Sequence, residues 1–303
     1  MMKVCFVGSG SIGKRHINNL KTISEERGII PEIHLLRSSK RKLEGLDGVK
    51  ECFDISELDD KYDMVFVTNP TFLHLDTLKK MIDRSDYFFV EKPVFDCIDV
   101  DTGFISSDKK IYVACPLRHT GVIRNLMDFV KPEKVFSVRA VCSSYLPDWR
   151  PGVDYRKIYS AHSDEGGGVR IDLIHEWDYL TYLFGFPNEV ACMSSKNSGL
   201  EIDSEDLAVY IARDSRRIIE LHLDYFGRVP KREFEMYTDE NVYVADIINN
   251  SITANGEIIY SAVEEPNDKY INEMKYFLDF CDGKKENIND IDTALHVIKL
   301  AMS

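Results

Sequence analysis

Near its start the chain reads Lys3-Val4-Cys5-Phe6-Val7-Gly8-Ser9-Gly10-Ser11-Ile12-Gly13. The first five residues are typical of a buried β-strand, and a helical pattern follows from His16 to Ile23. Strand, G-x-G-x-x-G and helix in this order form the context of the dinucleotide fingerprint, although a bare G-x-G-x-x-G also occurs in flexible loops. Gly8 permits the tight turn, Gly10 lets a pyrophosphate approach the backbone, and Gly13 lets helix and strand pack closely. The stretch therefore predicts a dinucleotide site at the head of a Rossmann domain.

Composition narrows the class of protein. The chain has 303 residues, of which 44% are hydrophobic and 29% charged, with a formal net charge of −13. This length allows two domains, and no apolar run approaches the ~20 residues that span a bilayer. The negative charge argues against nucleic-acid or membrane partners. The seven cysteines are scattered and contain no C-x-x-C, which is typical of reduced thiols in the cytoplasm and predicts no metal site.

The end of the second predicted strand, Glu32–Leu36, is basic. It continues as Arg37-Ser38-Ser39-Lys40-Arg41, where an NAD site would have an acidic residue for the ribose 2′-hydroxyl. Arginines and small hydroxyls are donors suited to a 2′-phosphate. A solvated basic loop is the alternative, but in so acidic a chain the cluster favours NADP as the cofactor, with NAD as the second choice.

Two further predicted strands end in short polar motifs. Thr68-Asn69-Pro70 follows the strand at 63–67, and Glu91-Lys92-Pro93 follows Tyr87-Phe88-Phe89-Val90. Ligands bind at the carboxyl ends of parallel strands, and charges buried there are costly unless each has a partner or a task. An exposed turn is the alternative. Strands alternating with helices predict a doubly wound parallel sheet for residues 1–118, with the chemistry at Lys92.

From residue 135 onward strands follow one another without intervening helices. This pattern predicts an α+β domain for residues 119–303, built on a mainly antiparallel sheet. The predicted strands are 135–141, 207–212, 217–225, 232–237, 242–248 and 257–263, and helical patterns follow His175 and cover 270–281 and 291–302.

The chain resembles the Gfo/Idh/MocA family of nicotinamide-dependent sugar oxidoreductases. The resemblance rests on the fingerprint, on Thr68-Asn69-Pro70 with His74, and on Glu91-Lys92-Pro93. In the second half, Glu165–Asp178 reads E-G-G-G-V-R-I-D-L-I-H-E-W-D and is similar to the family's glycine-rich segment before the catalytic helix. The resemblance implies closing helices that pack against the first domain and assembly into dimers or tetramers.

The resemblance also implies that Lys92, Asp172 and His175 are the catalytic residues. His175 would take the hydroxyl proton, because a histidine titrates near neutrality, and Lys92 would favour the developing alkoxide. The family usually separates the aspartate and the histidine by four positions, whereas the interval here is three. Both intervals keep two residues on one helix face, so the role of Asp172 depends on where that helix begins.

The loop Leu146–Ser160 lies between the predicted domains and contains prolines and a glycine that exclude a regular helix. Its aromatic and arginine side chains can stack on a sugar ring and hold an anion bidentately. The alternative is a surface loop with buried aromatic anchors. The predicted substrate-binding residues are Lys92, Arg118, Trp149, Arg150, Tyr155, Arg156, Tyr159, Asp172 and His175. The predicted cofactor-binding residues are Gly8, Ser9, Gly10, Ser11, Ile12, Gly13, Arg37, Ser38, Arg41, Thr68, Asn69, Pro70, His74, Glu91 and Lys92.

The resulting hypothesis is a hydride transfer between NAD(P) and a hydroxyl or carbonyl carbon of a sugar. The arginines of the loop favour an acidic or nucleotide-linked sugar, and the loop resembles family members of surface-polysaccharide pathways. Two alternatives stay open. One is a glycosidase that uses transient oxidation and elimination, and the other is a non-catalytic NADP-binding sensor.

Overall fold

The computed structural model describes residues 2–40 and 45–303. Within these residues, none of the helices combines the length and the apolar character needed to cross a membrane. The strands are β1 (Met2–Val7), β2 (Pro31–Leu36), β3 (Val49–Cys52), β4 (Met64–Val67), β5 (Tyr87–Val90), β6 (Lys110–Val113), β7 (Ser137–Tyr145), β8 (Glu189–Ser195), β9 (Leu207–Arg213), β10 (Ile218–Asp224), β11 (Phe226–Tyr237), β12 (Val242–Asp246), β13 (Ser251–Ala254) and β14 (Glu257–Ser261). The helices are α1 (Ser11–Glu26), α2 (His74–Met81), α3 (Gly121–Phe129), α4 (Val169–Asp172), α5 (His175–Phe184), α6 (Asp268–Cys281) and α7 (Ile291–Ala301).

The chain forms two compact units. The first contains the residues up to Pro116 together with Asn267–Leu295, and the second contains Leu117–Pro266 together with His296–Ser303. Each unit is built around its own sheet, as expected for two domains that each pack their secondary structure around one hydrophobic core.

The sheet of the first unit has six strands in the order β3-β2-β1-β4-β5-β6, and all of its neighbouring pairs are parallel. The strand order reverses between β1 and β4, which is the switch point where such sheets bind ligands. The predicted doubly wound parallel sheet is confirmed. The sequence pattern did not reveal β3, because its four residues V-K-E-C lack an apolar run.

Aromatic rings fill the core of the first unit. Phe6 stacks on Phe66 with ring centroids 4.4 Å apart, and Phe66 lies 5.2 Å from Phe89. Phe277 of α6 meets the rings of Phe66 and Phe89 edge to face, at 5.4 and 5.3 Å. A helix from late in the chain therefore completes the core of the unit in which the chain begins.

The sheet of the second unit has eight strands in the order β14-β13-β12-β11-β7-β10-β9-β8. Only β7 and β10 pair in parallel among these described strands, so the predicted mainly antiparallel sheet is confirmed. Helix α5 covers one face, where Trp177 meets Tyr210 edge to face at 5.3 Å and Tyr179 stacks on Phe234 at 5.2 Å. The sequence pattern missed β8, β13 and α3.

Candidate active site

The three glycines of the fingerprint have different surroundings. Gly8 has φ +108°, and a Cβ there would lie 2.5 Å from the backbone nitrogen of Asn69. A Cβ on Gly13 would lie 2.5 Å from the Gly8 carbonyl oxygen, whereas one on Gly10 would meet nothing within 4 Å. Gly8 and Gly13 are thus required by close packing, and Gly10 leaves open space beside the start of α1.

The residues around this open space fit a nicotinamide dinucleotide. Helix α1 starts after Gly10 with no side-chain cap and no acidic residue in its first turn, so its amides and its positive end suit phosphate groups. Nearby in the fold, the Oδ1 of Asn69 is buried and accepts no hydrogen bond within the described residues, while its Nδ2 donates to Thr77 Oγ1 at 2.8 Å. Space, backbone donors and an available acceptor all lie at the switch point of the sheet.

Two buried side chains fix the loops around the fingerprint. The Thr68 hydroxyl donates to the Gly8 carbonyl oxygen at 3.0 Å. The ring nitrogens of His74 lie 2.9 Å from the Asn69 carbonyl oxygen and 3.1 Å from that of Val94. Burial lowers the pKa of His74, so the neutral ring has one N–H to donate. The His74 ring thus lies between the loops after β4 and β5 and donates a hydrogen bond to one of the two carbonyl oxygens, which suits a role in holding these loops together.

A buried histidine anchors the charged motif after β5. The Nε2 of His16 on α1 lies 2.6 Å from Glu91 Oε1, and Glu91 Oε2 accepts the backbone N–H of Lys92 at 3.2 Å. The Nδ1 of His16 is buried without a hydrogen-bond partner in the described chain, so we assign the proton to Nε2. Burial alone would raise the pKa of Glu91, but the hydrogen bond from His16 and the charge of Lys92 hold it below its usual value. Glu91 is therefore an anion next to Lys92.

His16 was not among the predicted site residues. The signal that could have found it is its spacing, because it follows Gly13 by three positions and so lies on the same face of α1. Both residues are buried. A histidine on the buried face of the fingerprint helix needs a polar partner, and Glu91 provides it.

The glycine-rich segment of the second unit leads into two helices. Gly168 has φ +129°, and a Cβ there would collide with the carboxylate of Glu205. Asp172 is the last residue of the short helix α4, and His175 is the first residue of α5. Asp172 thus lies before the helix that carries His175.

The carboxylate of Asp172 accepts two short hydrogen bonds from tyrosines. Tyr159 donates to Oδ1 and Tyr225 donates to Oδ2, both at 2.6 Å. Burial and the charge of Asp172 raise the pKa of both phenols, so both stay protonated. Trp149 meets the Tyr225 ring edge to face at 5.2 Å and donates from Nε1 to Ser144 Oγ at 3.0 Å. Tyr225 was not predicted, since nothing in its own segment marks it as a partner of Asp172.

Comparison with known proteins agrees with these features. Residues 2–103 match the profile of the Gfo/Idh/MocA oxidoreductase family, described as having an NAD-binding Rossmann fold. This segment is similar to the NAD-binding domain of the Gfo/Idh/MocA family. The resemblance inferred from the motifs is thereby confirmed.

Similar proteins extend the likeness over the whole chain. The myo-inositol 2-dehydrogenase of Thermotoga maritima is 24% identical over 307 residues, covering 91% of this chain and 87% of the relative. The uncharacterized oxidoreductase YrbE of Bacillus subtilis is 23% identical over 203 residues, covering 64% of this chain and 56% of the relative. The match thus spans little more than half of that relative. The WlbA dehydrogenase of Bordetella pertussis, solved with NADH and UDP-GlcNAcA, shares the fold with a TM-score of 0.76 at 15% identity, covering 99% of this chain and 93% of that one.

Within the Gfo/Idh/MocA segment, the end of β2 carries a buried arginine. Arg37 is 6% exposed, and its Nη1 lies 2.9 Å from Glu51 Oε2 of β3. Its Nε donates to the Ser39 carbonyl oxygen at 2.5 Å. Ser38 is described, whereas Arg41 lies outside the described residues. Glu51 thus neutralises part of the charge of Arg37, which the sequence pattern predicts to bind the 2′-phosphate of NADP.

The predicted substrate residue Arg118 forms a buried ion pair. Its Nε and Nη2 donate to the two carboxylate oxygens of Asp178 at 3.0 and 2.7 Å. Its guanidinium also lies 4.8 Å from the ring centroid of Tyr182. Because Asp178 and Tyr182 are both on α5, Arg118 holds this helix in place.

The two arginines of the loop differ in their partners. Arg156 Nε donates to Asp154 Oδ1 at 2.9 Å and its Nη1 to Glu201 Oε2 at 3.1 Å. Tyr155 accepts the Glu201 backbone N–H at 3.2 Å. In the part of the chain that the structure describes, Arg150 is exposed and forms no ion pair. Arg156 and Tyr155 fasten the loop, and the charge of Arg150 is available to a ligand.

Proposed function

We propose that this protein is an NAD(P)-dependent oxidoreductase that transfers a hydride between the cofactor and a hydroxyl or carbonyl carbon of a sugar. The observation that carries the proposal is the position of Glu91 and Lys92 at the carboxyl end of β5. This strand belongs to the same parallel sheet as β1, which ends in the dinucleotide fingerprint. The similarity to proteins described as an inositol dehydrogenase and the WlbA dehydrogenase supports the same chemistry.

Each catalytic residue has a distinct task in the oxidation of an alcohol. The bound nicotinamide supplies the hydride acceptor. The ammonium group of Lys92 donates a hydrogen bond to the reacting oxygen and stabilises the alkoxide as it forms. A ring nitrogen of His175 takes the hydroxyl proton. Glu91, held by His16, balances the charge of Lys92 and fixes the backbone beside it.

An assay of net cofactor reduction tests the proposed function. Purified protein is incubated with NAD⁺ or NADP⁺ and a panel of free, acidic and nucleotide-linked sugars and glycosides, and both the absorbance of reduced nicotinamide and the release of free sugar are followed. We expect stoichiometric reduction with at least one acidic or nucleotide-linked sugar. Release of a free sugar without net reduction would indicate the glycosidase instead, and cofactor binding without any turnover would indicate the sensor.

We propose that NADP is preferred, because Arg37 and Ser38 stand where an NAD site has an acidic residue. Arg37→Asp should weaken NADP binding by about tenfold or more, since a hydrogen bond to a charged group contributes ~1.5–3 kcal/mol, and should favour NAD. Isothermal titration with both cofactors measures the two affinities.

A second variant removes the acidic partner of Arg37. Glu51→Gln keeps the shape of the side chain but removes the charge that lies 2.9 Å from Arg37. It should increase the preference for NADP, because the guanidinium is then less neutralised. Wild-type protein that binds NAD at least as tightly as NADP would refute the proposed preference.

We propose that the substrate is an acidic or nucleotide-linked sugar. An arginine matches a carboxylate or a diphosphate, and Arg150 has no acidic partner in the described chain. Arg150→Ala should raise KM for an anionic sugar by about tenfold and should leave KM for a neutral analogue nearly unchanged. Steady-state kinetics at fixed ionic strength make the comparison, because salt screens exposed charges.

Arg156→Ala is the matched control for this experiment. Arg156 lies in the same loop, but Asp154 and Glu201 already bind its guanidinium. Its loss should change KM for both sugars to a similar degree, through the loop. If Arg150→Ala also affected both sugars equally, the anionic-substrate proposal would be abandoned.

A further inference from the structure

The hydrogen bonds to Asp172 connect three separate parts of the second unit. Asp172 ends α4, Tyr159 belongs to the loop 146–160, and Tyr225 follows the last residue of β10. Each tyrosine donates to a different oxygen of the carboxylate, at the same distance of 2.6 Å. Hydrogen bonds from a hydroxyl to a carboxylate are short and strong because the acceptor is charged. The two bonds together fix both the position and the plane of this carboxylate.

The two donors are unequally accessible. Tyr225 is fully buried, whereas Tyr159 is 42% exposed. The indole of Trp149 packs against the Tyr225 ring at 5.2 Å, so the loop 146–160 reaches Asp172 directly through Tyr159 and indirectly through Tyr225. The same loop carries Arg150, which we propose binds the anionic group of the substrate.

We propose that Tyr225 and Tyr159 are positioning residues that orient the carboxylate of Asp172 for hydride transfer. This inference rests on the proposed function and deepens it. With a phenol donating to each oxygen, Asp172 acts as a fixed anion that orients its neighbours, and the proton of the substrate goes to His175. The loop 146–160 then contributes to the rate of the reaction as well as to substrate binding.

Removal of single hydroxyl groups tests the proposal. Tyr225→Phe and Tyr159→Phe each remove one donor and keep the ring, and each should lower kcat by about ten- to a hundredfold. The Kd of the cofactor should not change, because neither tyrosine belongs to the fingerprint unit. The matched controls are Tyr210→Phe and Tyr237→Phe, which should retain the wild-type kcat.

The controls lose equivalent bonds elsewhere in the same unit. Tyr210 is buried and donates to the Ala301 carbonyl oxygen at 2.6 Å, which matches Tyr225 in burial and bond length. Tyr237 donates to Glu235 Oε2 at 2.6 Å, which matches a phenol bound to a carboxylate. A loss of kcat that merely reflected a weakened fold would occur in the controls as well, and thermal melting of all four variants compares their stability.

A double-mutant cycle with Asp172→Asn decides whether the tyrosines act through Asp172. Residues that act as one network have non-additive effects, so Tyr225→Phe should lower kcat little further once Asp172 has been replaced. Full additivity, or an equal loss of kcat in the controls, would overturn the inference while leaving the proposed function intact. Wild-type turnover by Asp172→Asn would remove Asp172 from the proposed mechanism, and a wild-type protein without turnover on any sugar would overturn both.

Discussion

Replacing Lys92 with alanine should reduce kcat by at least about 10²–10³-fold, the usual cost of removing a donor that stabilises a developing oxyanion. Lys92 lies at the carboxyl end of β5, where Glu91 accepts its backbone N–H and is held in turn by His16. The substitution should leave the affinity for the cofactor largely intact, because the fingerprint loop follows a different strand. Turnover assays and isothermal titration of the cofactor measure the two effects separately.

Two further variants support the interpretation of this result. Lys110→Ala removes an exposed lysine of the same sheet, at the start of β6, and should have the wild-type kcat. Lys92→Met keeps the length of the side chain without its charge and should be as inactive as the alanine variant. Near-normal turnover by either Lys92 variant would reduce this lysine to a structural role.

Replacing His175 with alanine should lower the rate by about 10²–10⁴-fold, the usual contribution of a positioned general base. In the oxidation direction the base must be unprotonated, so the wild-type rate should rise with pH through the range in which an imidazole loses its proton. The variant should lose this rising limb. A pH–rate profile of kcat/KM for both proteins provides the measurement.

His162→Ala is the control for this prediction. His162 also lies in the second unit and is partly exposed, with its Nδ1 3.6 Å from Oδ2 of the exposed Asp203. Its removal should leave the profile unchanged. An unaltered rising limb in His175→Ala would show that another group takes the proton.

Local patterns predicted the architecture well. The apolar runs of β1, β4 and β5 are each buried on both faces of a parallel sheet, and such strands are legible as short continuous hydrophobic segments. The fingerprint was equally legible, because the reason for Gly8 and Gly13 lies in contacts within the first βα unit and its neighbouring strand.

Contacts between distant positions were not predictable in this way. His16 and Glu91 are 75 positions apart, and Asp172 and Tyr225 are 53 apart. Residue patterns report the face on which a side chain lies but not its partner across the fold. Glu51, the partner of Arg37, remained hidden for a related reason, since the strand that carries it was not predicted.

One partner was visible in the sequence and was overlooked. Asp154 precedes Arg156 by two positions in the loop, and the pair forms both a side-chain and a backbone hydrogen bond. Aspartate commonly binds the backbone two residues further on. This spacing indicates that Asp154 already binds Arg156. Of the two arginines, the sequence therefore favours Arg150 as the one that binds an anionic ligand.

Because Phe277 lies in the core of the first unit, this unit can complete its folding only late in translation. The rings of Phe66 and Phe89 leave the ribosome early, but the helix that covers them is translated only after nearly the whole second unit. Domains generally fold as they emerge, beginning with the N-terminal one. Here the apolar surface of the N-terminal strands stays uncovered until α6 has been synthesised. We therefore expect translation arrested after Pro116 to yield a chaperone-dependent, aggregation-prone fragment rather than a stable cofactor-binding domain.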